Sequence, residues 1–113
     1  MKADRELLEL AAKACGYDTS HIWNAARMTM PSPVIGLCID GVGTNWNPLD
    51  NDGHAFRLMV KLSIKVKWNA VLNQALAWDG ITETAVNGED YGGADSATRR
   101  AIVLVAAQKV MEL

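Results

Sequence analysis

The tightest restriction on this chain lies near its end. Residues 101–107 read Ala-Ile-Val-Leu-Val-Ala-Ala and leave no polar face for water. A helix over this stretch either runs through the centre of a core or is covered by a second copy of the chain. Asp95 or Ser96 is suited to cap its start.

The other elements announce themselves by milder patterns. Residues 4–15 fit a helix with Leu7, Leu10, Ala11 and Ala14 on one face, widened by Leu8 and Cys15. Asp4 is placed to cap it and Gly16 to end it. Residues 21–29 mix apolar and polar side chains and suggest a strand, broken by Met30-Pro31-Ser32-Pro33, because proline cannot donate to a ladder. Residues 34–39 read as a second strand, followed by the turn pair Asp40-Gly41. Residues 43–49 look irregular. Asp50, Asn51 and Asp52 then offer caps for a helix reaching about residue 62, with Ala55, Leu58, Met59 and Leu62 on its apolar face.

Residues 64–70 alternate. Ile64, Val66, Trp68 and Ala70 point one way, and Lys65, Lys67 and Asn69 the other, as in a strand with one dry side. Residues 74–86, with Asp79-Gly80 inside, add further strand. Residues 87–93 read as a flexible acidic loop. The expected fold is α+β: one mixed or antiparallel sheet of about four strands with three helices, in the order α-β-β-α-β-β-α.

The chain has 113 residues, enough for one domain with its own core. Its formal net charge of -2 provides no global field for a nucleic-acid backbone or an anionic membrane. The two cysteines, Cys15 and Cys38, sit in apolar company and read as buried thiols. The first residues lead into a charged amphipathic helix with no apolar signal region, and no run approaches the roughly 20 apolar residues a bilayer span needs. The expectation is a cytoplasmic protein with no membrane partner.

Motifs for chemistry are sparse. Cys15, His21, Cys38 and His54 lack zinc spacing, and Asp50, Asn51 and Asp52 lack the glycine and distal Glu of a calcium loop. Gly41-Val42-Gly43 starts like a dinucleotide fingerprint, but Trp46 stands at the third glycine's place. No cofactor, metal or catalytic residue is therefore assigned. His54 reads as a partly exposed surface residue. Lys65 and Lys67 form the charged outer side of their strand.

Six residues remain as binding candidates: Trp46, Asn47, Asp52, Arg57, Arg99 and Arg100. Trp46 either pins its loop to the core or serves a contact surface, where tryptophan is favoured. Arg99 and Arg100 near the start of the last helix oppose its macrodipole. They either form salt bridges within the chain, with Asp90 and Asp95 close by, or meet an external ligand.

Three segments carry a family resemblance. They are the opening Asp4-Arg5-Glu6-Leu7-Leu8-Glu9-Leu10-Ala11-Ala12-Lys13-Ala14, the central segment from Trp46-Asn47-Pro48-Leu49 to Leu58, and Ala97-Thr98-Arg99-Arg100-Ala101-Ile102-Val103. In order and type they resemble a family of small phage and prophage proteins with an αβα-sandwich domain. The resemblance implies an αβα-like fold and a phage origin but no activity, because members are mostly uncharacterised. Residues 22–39 and 70–86 depart from it. Together with the small size and absent catalytic motif, it leads to the expectation of a non-enzymatic accessory protein. Such a protein binds a host protein or protein complex, for example in counter-defence against a CRISPR effector. The alternatives are a nucleotide sponge or cryptic nucleotide hydrolase using Arg99, Arg100 and the Trp46 loop, and a virion or assembly component. The apolar last helix and exposed strand edges add the expectation of a homodimer.

Overall fold

A computed structural model describes residues 2–111. The described residues form an α+β structure with four helices and two small antiparallel sheets. Helix α4 (Ala94–Met111) is the central element. It packs on α1 (Asp4–Ala14), on α3 (Asp52–Lys61) and on the sheet of β3 (Lys65–Asn69), β4 (Gln74–Trp78) and β5 (Glu83–Asn87). Ala97, Ala101, Val103, Val105, Ala106 and Ala107 on α4 are fully buried. Its all-round apolar surface is thus used inside one chain, against neighbours on several sides. Small alanines at four of those positions let α1 and the sheet approach its backbone.

Helix α1 shows why an apolar stripe must be placed in three dimensions. Its buried residues are Arg5, Leu7, Leu8, Ala11 and Ala12, while Leu10 is only partly buried. The stripe is rotated from the expected centre, so that Leu8, fully enclosed, becomes its middle. Asp4 is the first helical residue and not the cap; Ala3 holds the cap position without a side-chain bond. Gly16, at φ +80°, ends the helix as anticipated.

The expected strand over 21–29 is a helix, α2 (Ile22–Met28). His21 caps it by accepting a bond from Trp23 N. Ala25, Ala26, Arg27 and Met28 are all ready helix formers, and only Asn24 faces inward. The expected strand over 34–39 shrinks to β1 (Leu37–Ile39). Arginine side chains bind the carbonyls of residues 34–36, which therefore serve no ladder. The stretch expected to be irregular contains β2 (Gly43–Trp46), antiparallel to β1 through a turn in which Gly41 adopts φ +78°. Leu37, Ile39 and Trp46 carry this hairpin into the core.

Strands β3, β4 and β5 form a meander in register, Val66 opposite Ala77 and Ala75 opposite Val86. The alternation expected of β3 holds: Lys65 and Lys67 are exposed, and Val66 and Trp68 pack toward the core. Residues 88–91, expected to be part of a flexible loop, form a 3-10 turn whose Tyr91 packs on the core. The single sheet of about four strands and three helices is therefore corrected to two sheets and four helices among the described residues. Short connections favour local hairpins over one merged sheet.

Candidate functional site

Helix α3 begins with a tightly wired turn. The Asn47 carbonyl accepts from Asp50 N (3.1 Å) and Asn51 N (2.9 Å), and its side-chain oxygen accepts from Leu49 N (3.1 Å). Asn51 is the helix cap, accepting from His54 N. His54 closes the circuit: its Nδ1 accepts from Asn47 N at 3.0 Å. That bond requires a lone pair on Nδ1. Burial, with the nearby Arg57 charge, lowers the His54 pKa and favours the neutral ring.

Trp46 lies beneath this turn, 3% exposed, with the Tyr17 ring edge-on at 5.8 Å. Asp52 extends from the first turn of α3 to α4, where Arg99 Nη1 donates to it at 2.7 Å and Arg99 Nε donates to the Leu49 carbonyl at 2.8 Å. Arg57 is exposed and forms no ion pair among the described residues. Arg100 leaves α4 in another direction. Its Nη2 donates to Asp4 at 2.7 Å, and its guanidinium lies 4.3 Å over the Tyr91 ring. The two arginines stand in the second turn of α4, and their partners are Asp52 and Asp4, not Asp90 or Asp95.

The six candidates thus divide. Trp46, Asn47, Asp52 and Arg99 build the junction of α3 with α4; Arg100 fastens α4 to α1; Arg57 stands alone. Beside the junction runs a groove of about 310 Å³ floored by Ala55, Met59, Val66 and Ile102, with the Asp52–Arg99 pair at its rim. A second groove of about 230 Å³ lies between α1 and α4, lined by Leu7, Leu104, Ala107 and Met111 under Arg100. Among the described residues no three His, Cys, Asp or Glu side chains gather as a metal would need, and no helix is long and apolar enough to cross a membrane. Cys15 and Cys38 are buried and unpaired, and burial raises the Cys15 pKa.

The polar residues that reading by periodicity passed over are Arg5 and Asn24. Arg5 is 6% exposed although it carries a charge. Its guanidinium donates to the carbonyls of Asn24 and Val34, the latter at 3.2 Å, and its Nε lies 3.4 Å from Glu9. Asn24 behaves like an extra strand residue. Its side-chain nitrogen donates to Cys38 O at 2.9 Å, and its oxygen accepts from Cys38 N at 2.7 Å. Arg27 adds a bond to the Gly36 carbonyl at 3.1 Å. A weak signal existed: Arg5 shares a helical face with Leu8 and Ala12.

This clasp explains an exposed apolar surface. With Asn24 turned inward, α2 turns Ile22 (78% exposed) and Trp23 (51%) outward. Met28, Met30 and Val34 continue the exposed apolar run into the next segment. Arg27 and His21 flank the Trp23 ring. Tryptophan and methionine on a rigid mount, with arginine beside them, form a composition suited to protein contact. Compared with protein-family models, curated proteins and solved structures, the chain matches none.

Proposed function

We propose that this chain is a non-enzymatic accessory protein of a phage or prophage that binds a host protein complex in the cytoplasm. Its use is counter-defence, such as inhibition of a CRISPR effector or another immune complex. The observation that carries the binding reading is the outward display of Ile22, Trp23, Met28, Met30 and Val34 on a segment fixed by buried polar bonds. Apolar side chains held in place bind with little ordering cost. The phage origin rests on the three-segment resemblance, and the αβα relationship of the fold belongs to the same reading.

The nucleotide alternative would need Arg99, Arg100 and the Trp46 loop to converge. Arg99 and Arg100 instead engage separate aspartates, and Trp46 is buried. This distribution favours the protein partner.

The test compares the chain with Ile22→Asp/Trp23→Ala, which changes exposed residues only. In cells carrying an active CRISPR or other defence system, the wild type is expected to restore phage plating and the variant to fail, at equal expression. The wild type is also expected to retain a defence complex that the variant loses on affinity purification. Equal behaviour of the two proteins in both assays would reject the α2 surface. No restoration against any defence system, with no partner retained, would reject the function.

A further inference from the structure

The meander sheet has two unlike faces. Ladder register places Val66, Ala75, Ala77 and Val86 on the side that meets α4. The opposite side carries three rows: Lys65, Trp78 and Glu83 in one, Lys67, Leu76 and Ala85 in the next, and the neutral Asn69, Gln74 and Asn87 in the third. Leu76 and Trp78, on the central strand, are only partly buried and stand outside the core cluster. Of the four helices, α4 alone makes substantial contact with these strands. A central apolar pair is thus left to water, with cations on one flanking strand and an anion on the other. Lys65, Lys67 and Glu83 form no ion pair among the described residues.

This pattern is complementary to itself in one arrangement. Two such faces stack about 10 Å apart. A two-fold axis parallel to β4 preserves the rows and brings β3 of one copy over β5 of the other. Lys65 then faces Glu83 of the partner subunit, and Glu83 faces Lys65 of the partner subunit. Trp78 and Leu76 meet their own counterparts on the axis. A two-fold axis across the strands would instead stack β3 on β3 and bring the lysine strands together, which like-charge repulsion disfavours. We infer that the chain forms a two-fold dimer through this open sheet face, with a second copy as its occupant. The apolar surface of α4 takes no part, since the chain's own core uses it. Three strands of five residues each make a small face, so the dimer is expected to depend on concentration.

Sedimentation equilibrium of the full chain from about 10 μM to about 1 mM tests this, a range suited to weak association. The mass is expected to rise toward twice the 12.3 kDa of the monomer. Lys65→Glu and Glu83→Lys each place like charges face to face and should weaken the dimer by about tenfold or more. The double variant Lys65→Glu/Glu83→Lys restores opposite charges and should restore dimerisation, which an unfolded chain could not do. A wild type that stays monomeric throughout overturns the inference. So does a dimer indifferent to either single change, or a folded double variant, verified by circular dichroism, that remains monomeric.

Discussion

Two regions of this molecule are held together by different means. The body, formed by α1, α3, α4 and the meander, is a packed apolar core around α4. The segment of α2 and residues 29–36 has one inward side chain on its helix, Asn24, and is tied down by hydrogen bonds from Arg5, Asn24 and Arg27. The body hides its large side chains to gain stability. The clasped segment is fixed by polar groups, so its apolar side chains stay available at the surface. A few directional bonds can hold a display surface still, but they concentrate the risk: each lost partner leaves a buried polar group unsatisfied.

The largest predicted effect strikes the body. Leu8→Ala removes a fully enclosed side chain and is expected to cost about 2–5 kcal/mol. Chemical denaturation should show one cooperative transition displaced as a whole. If α2 kept its own transition unchanged, the hairpin would not couple the two regions as their shared core implies. Next comes Asn24→Ala, which strands both backbone groups of Cys38 and is expected to cost the segment about 1–3 kcal/mol. Hydrogen exchange should rise across residues 21–38 while α4 stays protected. A uniform rise would erase the distinction between clasp and core.

A smaller effect sharpens the comparison, because the body has polar ties of its own. Lys109 Nζ lies 2.5 Å from Asp79, whose side chain is buried in the turn between β4 and β5. That hydrogen bond, with those from Thr82 N and Ile81 N, lowers the Asp79 carboxyl from 3.8 to about 2. The folded pKa lies below the unfolded one, so the unfolded chain takes up the proton first. The stabilisation is therefore complete above about pH 4 and is lost as pH falls through about 2. Acid titration of stability should lose this component in Asp79→Asn. An unchanged acid profile would show that the tie does not matter. Smallest is Asp52→Asn, which weakens the contact with Arg99. Asp52 is 82% exposed, so about 0–1 kcal/mol is expected in thermal unfolding. A larger loss would mean that the α3–α4 junction, not the apolar core, holds the body.

Much of the body was legible in the sequence. The unbroken apolar run of residues 101–107 required a helix covered on all sides, by the chain's own core or by a second copy, and the Lys65-Val66-Lys67-Trp68 alternation required a strand with one wet face. The clasped segment was not legible. Residues 21–29 have no clean period, and their backbone geometry follows from Asn24 finding Cys38 and Arg5 finding Val34. The candidate site was legible only as a set of residue types. The sequence showed that Arg99 and Arg100 needed partners, but not which ones.

By itself the sequence determined only some local features: the alternation of β3, the Asn51 cap of α3 and the glycine stop at Gly16, whereas Asp4, Asp95 and Ser96, expected as caps, lie inside their helices. Periodicity and capping act within a few residues, so local order is enough to read them. Only the tertiary structure decided which groups separated along the chain would meet, such as Arg100 with Asp4 across 96 residues. It also decided which sheet face would stay open and where a buried arginine would spend its donors. Those outcomes depend on how whole elements pack, because a hydrogen bond or ion pair forms only where packing has already brought its two ends within about 3 Å.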